Sequence, residues 1–204
     1  MFTKTIFLPI MELALFCGLG GAPTFLVPII NPPFADNSPH LPSLLSMAMI
    51  EKKKLNARYE RIYTQLEDLL QNTGNLVSRM ATVAALLHHK MPHFFWTGFY
   101  LLDKGELIVG PYQGPLACQV LEKNSGVCWA GILRHSTIVV PDVHEFPGHI
   151  ACDSRSNSEI VIPLLGKNDQ PWAVLDVDSH KRDAFSEIDK QWLEKIVRLI
   201  PPQE

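Results

Sequence analysis

The sequence predicts an α+β domain built on one largely antiparallel sheet. Two successive helical patterns come first, a pair of strand-like runs joined by a tight turn follows them, and a last helical pattern ends the chain after further strand-like runs. Strands connected by short turns, with helices before and after them, are typical of α+β folds. The chain has 204 residues, of which 47% are hydrophobic, and is therefore long enough to bury one substantial core.

Two amphipathic helices are predicted at the start of the domain. Apolar residues recur at spacings of three and four over residues 55–70 and again over residues 76–87. This spacing places them along one face of a helix. Gly74 separates the two segments and Pro92 follows the second, so both predicted helices have an end signal.

Strands are predicted directly after these helices. Aromatic and branched residues fill residues 94–102, a short apolar run covers residues 106–110, and Lys104 and Gly105 stand between them where a hairpin turn belongs. Three later runs of branched or apolar residues, each bounded by turn-forming residues, are also predicted strands: residues 137–140, 159–165 and 172–177.

Two more helices complete the predicted order. Residues 128–134 form a short helical segment between the strands. A final helix is predicted after an N-cap at Ser186, and it ends before Pro201 and Pro202 because two prolines cannot continue a helix.

The first fifty residues differ from the rest of the chain. Residues 1–50 carry only Lys4, Glu12 and Asp36 as charges, together with seven of the 16 prolines, and no stretch reaches the roughly 20 apolar residues of a membrane-spanning helix. We predict an apolar, proline-rich extension without a packed fold, followed by a domain over residues 51–204. A cleaved signal peptide is the alternative, because Lys4 precedes an apolar stretch and small residues follow at positions 18–22.

Composition excludes several classes of protein. The 18 Lys and Arg residues against 21 Asp and Glu give a net charge of −3, so nothing indicates a nucleic-acid or anionic-membrane partner. Four cysteines are too few for a disulfide-stapled scaffold of this length. No glycine-rich phosphate loop, serine nucleophile elbow or zinc-protease motif occurs, which leaves the cysteines as the candidates for chemistry.

Three cysteines fall in glycine-rich segments of the predicted domain, and none belongs to a C-x-x-C pair. Cys118, Cys128 and Cys152 can be small buried hydrophobic residues. They can bind zinc with His144 and His149, although only His149 and Cys152 have a spacing near that of a zinc site. They can also form a redox set, in which one thiolate is the nucleophile and another resolves the oxidised product.

Carboxylates favour the redox interpretation. Asp176 and Asp178 are two residues apart on a predicted strand, so their side chains share one face, and Glu159 opens the preceding strand. Such acids either lie on a solvated edge or form a site that binds an ammonium group or donates a proton. Trp96 is either a core residue or an aromatic wall suited to a methylthio group.

Seven segments in order resemble one known family. They are FWTGFYL at 95–101, GPYQGPLAC at 110–118, GVC at 126–128, PDVH at 141–144, PGHIACD at 147–153, SNSEI at 156–160 and LDVDS at 175–179. Together they are similar to the free methionine-(R)-sulfoxide reductases, which are GAF-domain proteins. The resemblance extends from about Leu55 to Leu199 and includes all three cysteines of the predicted domain.

This resemblance implies a GAF-like fold with a six-stranded antiparallel sheet, usually in a homodimer. It implies reduction of the R epimer of free methionine sulfoxide, with no bound cofactor or metal, and with thioredoxin, thioredoxin reductase and NADPH supplying electrons. Cys152 matches the nucleophile, Cys118 the resolving cysteine and Cys128 the third cysteine of the family. Glu159, Asp176 and Asp178 match acidic residues of the substrate pocket, and Trp96 matches its aromatic wall.

Three further expectations accompany the resemblance. Dependence on thioredoxin favours the cytoplasm, where thiols stay reduced. Two residues depart from the family pattern, because Cys17 has no counterpart and Trp129 follows Cys128 where a small residue is expected. A GAF module that binds a small ligand without catalysis is the alternative function, since a fold alone does not determine an activity.

Overall fold

Four α-helices and six strands form the described part of the chain, and all of them except one short strand follow the order that the sequence predicts. The structure is a computed structural model that describes residues 43–149 and 153–202. Predictions for the extension before Ser43, for Cys17 and for Cys152 therefore lie outside the described residues. The helices are α1 (Leu44–Leu70), α2 (Leu76–Lys90), α3 (Gly126–Arg134) and α4 (Glu187–Val197). The strands are β1 (Trp96–Asp103), β2 (Glu106–Gln113), β3 (Val120–Leu121), β4 (Ile138–Val140), β5 (Ser158–Leu165) and β6 (Pro171–Ser179).

Helix α1 begins earlier than its apolar periodicity predicts. The helical pattern starts at Leu55, whereas the helix starts at Leu44 and is capped by Ser43, whose Oγ accepts a hydrogen bond from the Ser46 amide at 3.2 Å. The added turns carry exposed apolar side chains such as Leu44 and Leu45. Their residue types favour a helix, but they have no buried face and so no periodic pattern.

The six strands make one sheet in the order β3-β2-β1-β6-β5-β4, and neighbouring strands pair antiparallel. The prediction of a single antiparallel sheet is therefore confirmed. Lys104 and Gly105 form the tight turn between β1 and β2 with φ of 48° and 81°, the paired positive values that favour a two-residue hairpin. Strand β3 is not predicted by the sequence, because two residues are too few to create an alternating pattern.

The two faces of the sheet have different cores. One face packs against α1, α2 and α4 through fully buried residues such as Leu66, Leu87, Phe99 and Leu175. Alternate residues of the same strands point to the opposite face, which α3 covers. We call this opposite side the α3 face.

Helix α3 packs closely against the strands of the α3 face. A Cβ atom at Gly131 of α3 would come within 2.9 Å of Val161 Cγ1 on β5, so the absent side chain permits the close approach. Trp129 is buried among the apolar residues that α3 shares with the sheet, which accommodates the bulky residue that departs from the family pattern.

The last helix has the predicted N-cap. Ser186 and Asp189 form a reciprocal capping box, in which the Ser186 amide and hydroxyl both donate to Asp189 Oδ2, at 2.7 and 2.6 Å. Tyr59 Oη of α1 donates to the other carboxylate oxygen at 2.8 Å, so one buried acid joins the first and last helices. No helix among the described residues is long and apolar enough to cross a membrane.

Candidate active site

A cavity of about 270 Å³ opens on the α3 face, between the sheet, α3 and the loops on either side of α3. Six of the seven predicted site residues line it: Trp96, Cys118, Cys128, Glu159, Asp176 and Asp178. The seventh, Cys152, lies outside the described residues, but His149 and Asp153, which stand before and after it in the chain, both belong to the cavity wall.

Strand register brings the acids together. Asp178 of β6 pairs with Trp96 of β1 on one side and with Glu159 of β5 on the other. Asp176 occupies the next row, opposite Gly98 and Val161. Since directly opposed side chains on one sheet face lie about 5 Å apart, the three carboxyl groups and the indole form one continuous wall.

A glycine positions the indole of Trp96. A Cβ atom at Gly98 would lie 2.5 Å from Trp96 Cη2 and 2.3 Å from Tyr112 Cβ, so only a residue without a side chain leaves room for the ring. The indole stacks on Tyr112 and Tyr100 at centroid distances of 5.3 and 5.8 Å. Its Nε1 donates to the Pro115 carbonyl at 3.2 Å, which holds the ring in one orientation.

Burial dominates the acid chemistry of the cavity. Glu159 and Asp176 are 5% and 7% exposed, and burial, followed by the charges of the neighbouring acids, raises the pKa of both carboxyl groups well above their usual range. Burial also raises the pKa of Asp178 to about 7, although a hydrogen bond with Ser156 opposes the shift. The cluster therefore holds protons near neutral pH that ordinary carboxyl groups would release.

Cys128 lies in contact with these acids. It is a free thiol on α3, 5% exposed, and burial together with the charges of Asp176, Glu159 and Asp178 raises its pKa. The neighbouring Asp176 carboxyl group contributes to this shift. In this arrangement Cys128 is a protonated thiol rather than a nucleophile, because only the thiolate attacks.

Cys118 is disulfide-bonded and partly buried in the connection between β2 and β3. Tyr100 Oη donates to the Cys118 carbonyl at 3.3 Å, which ties this connection to the sheet. Tyr100 lines the cavity but is not among the predicted site residues. Its spacing from Trp96 could have identified it, because residues four apart on a strand share a face.

The ends of the segment that carries Cys152 are held by polar contacts. Ser125 Oγ donates to the Gly148 carbonyl at 2.8 Å, and His149 Nδ1 lies 3.8 Å from Glu159 Oε2. On the other side, Arg155 Nη2 lies 2.6 Å from Asp153 Oδ2. Hydrogen bonds from Arg155 lower the pKa of Asp153 to about 2.

The zinc interpretation that combines His144 with His149 and the cysteines does not match the structure. The side chain of His144 is 54% exposed, lies 2.8 Å from Asp142 and is not among the residues that line the cavity. A short 3₁₀ turn over Val143–Glu145 places it on the surface. His149 alone of the two histidines reaches the cavity.

The fold and the cavity together define a GAF domain. The GAF-domain family model matches residues 65–200, which include all six strands, the helices α2, α3 and α4, and the last residues of α1. GAF domain-containing protein A of Dictyostelium discoideum is 45% identical over 152 residues, which are 74% of this chain and 95% of that protein.

Two further relatives identify a narrower family within the GAF-domain proteins. The free methionine-R-sulfoxide reductase of Escherichia coli is 39% identical over 139 residues, which are 68% of this chain and 84% of that enzyme. The crystal structure of the enzyme of that name from Neisseria meningitidis, in complex with its substrate, has a TM-score of 0.68 at 37% identity and covers 71% of this chain and 87% of that one. The chain therefore belongs to the free methionine-R-sulfoxide reductase family of GAF-domain proteins.

Replacing Gly98 with alanine tests the positioning of Trp96. We expect Gly98→Ala to lower the free energy of unfolding by about 1–3 kcal/mol, as overpacking does, and to change the near-ultraviolet circular dichroism of the displaced indole. Gly74→Ala is the matched control, because no heavy atom lies within 4 Å of a Cβ atom at that position. Equal stability and equal spectra for the two variants would show that Gly98 does not position the Trp96 ring.

The raised pKa of Asp178 predicts a pH-dependent effect of Asp178→Asn. The folded-state pKa of about 7 lies above the unfolded value, so the contribution of this carboxyl group to stability is complete below about pH 4 and is lost as pH rises through about 7. The melting temperature of Asp178→Asn, relative to the wild type, should therefore increase between about pH 5 and pH 8.

The control for this experiment is the exposed residue Asp103, at the end of β1. Asp103→Asn should leave the difference in melting temperature constant over the same range. A constant difference for Asp178→Asn as well would contradict a raised pKa of the Asp178 carboxyl group.

Proposed function

We propose that this chain reduces free L-methionine (R)-S-oxide to L-methionine. The observation that carries the proposal is the convergence of Cys118, the indole of Trp96, the buried acids Glu159 and Asp176 and the partly exposed Asp178 in one small cavity. Two relatives that match this chain over most of their own length are named for that reaction. The chain is thus an oxidoreductase acting on methionine sulfoxide.

The proposed nucleophile is Cys152. Its thiolate attacks the sulfoxide sulfur while a carboxylic acid protonates the sulfoxide oxygen. The S–O bond of the substrate then breaks as the hydroxyl passes to the cysteine sulfur, and the bond between the two sulfurs breaks as methionine leaves, so that Cys152 becomes a sulfenic acid. The thiolate of Cys118 then attacks that sulfur, which forms a disulfide and releases water. The disulfide at Cys118 and the free thiol at Cys128 support this assignment of the resolving residue.

Asp178 suits the role of proton donor. A general acid works best when its pKa is near the operating pH, and burial places the pKa of Asp178 at about 7. Asp178 also lies opposite Trp96, whose ring is the proposed contact for the substrate methyl group. The sulfoxide sulfur bound between them would have its oxygen near the donor.

Asp176 and Glu159 are the proposed binding partners of the amino group of the free amino acid. Asp176 Oδ1 is buried and has no hydrogen-bond partner among the described residues, so it can accept a bond from an ammonium group. A methionine within a peptide lacks that charge and brings chain in its place, and the cavity would therefore exclude it.

The reducing partner is proposed to be thioredoxin, with thioredoxin reductase and NADPH and without a bound cofactor. A dithiol of this class attacks the protein disulfide, returns Cys118 and Cys152 to thiols and becomes a disulfide itself. This cycle requires a reducing compartment, so the proposed location is the cytoplasm. The homodimer implied by the family resemblance remains a prediction.

The reaction is tested by following both epimers of free methionine sulfoxide with the thioredoxin system. We expect consumption of the R epimer alone, formation of one methionine for each NADPH oxidised, and no reaction with N-acetylmethionine sulfoxide amide. Cys152→Ser should abolish turnover, and Cys118→Ser should stop after a single turnover, since the sulfenic acid has lost its resolving thiol.

Cys17→Ser is the matched control, because it removes a thiol that has no proposed role. It should retain the turnover of the wild type. Undiminished turnover in Cys152→Ser would remove the proposed mechanism. Binding of the sulfoxide without methionine formation in a reduced, folded sample would instead favour the GAF ligand-binding module.

A further inference from the structure

Three side chains on the floor of the cavity form a compact set of metal-ligand atoms. One donor atom each of Cys128, Glu159 and Asp176 lies within 4.8 Å of the other two, and all three residues are buried. We infer that this thiol–carboxylate trio binds one thiophilic divalent cation of the Zn²⁺ type. The site goes beyond the proposed function, which assigns no metal to the cavity.

The trio comes from three rigid elements. Cys128 lies on α3, Glu159 on β5 and Asp176 on β6, and strand pairing places the two carboxyl groups on the same face of the sheet. The missing side chain of Gly131 lets α3 approach β5 closely, and this packing places the Cys128 thiol near the two carboxyl groups. Ligands held by helices and strands are oriented before the metal arrives.

An unpartnered oxygen independently indicates a cationic ligand. Asp176 is 7% exposed, and its Oδ1 atom is buried without a hydrogen-bond partner among the described residues. A buried carboxylate oxygen in this state is unfavourable until a donor or a cation satisfies it. No lysine or arginine is among the described residues that line the cavity.

The thiol selects the type of cation. A substrate ammonium group can satisfy carboxylate oxygens but gains nothing from a cysteine sulfur. Sulfur combined with oxygen favours Zn²⁺ over Mg²⁺ or Ca²⁺, which bind oxygen. Zinc bonds are about 2.3 Å to sulfur and about 2.0–2.2 Å to oxygen. Donor atoms that lie within 4.8 Å of one another are close enough to share one such ion.

His149 lies beside the trio and is not part of it. Its Nδ1 atom lies 3.8 Å from Glu159 Oε2, and its Nε2 atom is buried without a partner among the described residues. An imidazole beside a ligating carboxylate can orient that ligand. The inferred protein ligands are Cys128, Glu159 and Asp176.

A cation at this position would occupy the carboxyl groups proposed for the substrate ammonium. Zn²⁺ and free methionine should therefore exclude one another. This consequence rests on the proposed function, whereas binding of the metal does not. The metal would be an inhibitor of the reductase rather than a cofactor.

The test uses the full-length chain in its disulfide form. Cys118 is disulfide-bonded in that form, so its sulfur cannot act as a thiolate ligand and Cys128 is the thiol available in the cavity. Cd²⁺ alone is titrated, because a cadmium–thiolate bond has a charge-transfer absorption, and Zn²⁺ is then added to displace it. We expect one Cd²⁺ per chain, a thiolate absorption, and displacement by Zn²⁺.

Variants identify the ligands. Cys128→Ser should lose the absorption, and Asp176→Asn should weaken Zn²⁺ binding by at least about 10-fold. Cys17→Ser, the matched removal of a thiol, should bind as the wild type does. Absence of binding by the wild type, an unchanged absorption in Cys128→Ser, or its loss in Cys17→Ser would each overturn the inference.

A second measurement needs no variant. X-ray absorption at the zinc edge of the wild-type complex should give one sulfur neighbour and a remaining shell of oxygen and nitrogen. A shell without sulfur would overturn the inference even where Cys128→Ser fails to fold. Neither measurement involves turnover, so failure of the metal site and failure of the reductase are separate results.

Competition is measured on the same Cd²⁺ complex. Free methionine should displace the metal, while N-acetylmethionine amide, which lacks the ammonium group, should not. Displacement by both or by neither would contradict the shared site while leaving the direct binding result intact.

Discussion

Burial of three carboxyl groups on one face of a sheet is the constraint on which the rest of the site depends. Asp178 pairs with Glu159 on the neighbouring strand, and Asp176 lies in the adjacent row. Three ionised acids at these separations would repel one another in a medium that solvates charge poorly. The protein accommodates them by keeping protons on the cluster, which is why burial raises the pKa of each.

Helix α3 and two glycines create the low-polarity environment that this protonation requires. Gly131 brings the helix onto the sheet, and Gly98 leaves room for the indole of Trp96 to close one side of the cavity. Apolar residues surround Cys128 and Trp129, which belong to the same buried cluster. Glu159 and Asp176 are therefore almost completely removed from solvent, whereas Asp178 is partly exposed.

The same protonated cluster accounts for both proposed uses of the cavity. A carboxylic acid near its pKa can donate a proton to a leaving oxygen, and a neighbouring acid can release its proton when an ammonium group arrives. A zinc-type cation would bind to the same oxygens, with Cys128 added as a ligand. Cation binding and acid catalysis therefore share one physical origin and compete for the same groups.

Much of this arrangement could be predicted from local sequence patterns. Alternation on one strand places Asp176 and Asp178 on a common face, and the tight turn at Lys104 and Gly105 predicts the first hairpin. The family resemblance adds the set of wall residues, six of which line one cavity. These successes depend on periodicity and turn chemistry, which act over a few residues.

Other features depend on contacts that are distant in the chain. The pairing of Trp96 with Asp178 joins strands separated by most of the domain, and no local pattern specifies that register. The depth of Cys128 follows from how closely α3 packs, and the surface position of His144 follows from a 3₁₀ turn. Strand β3 and the first turns of α1 lack a buried face, so periodicity does not detect them.

The most direct test of the central claim is infrared spectroscopy of the carboxyl groups in the reduced, substrate-free protein at neutral pH. Protonated carboxylic acids in the cavity should give a carbonyl stretch that is diminished separately in Glu159→Gln and in Asp176→Asn, and that changes when free methionine is added. A spectrum containing only ionised carboxylates, identical in the wild type and both variants, would contradict the protonation of these carboxyl groups.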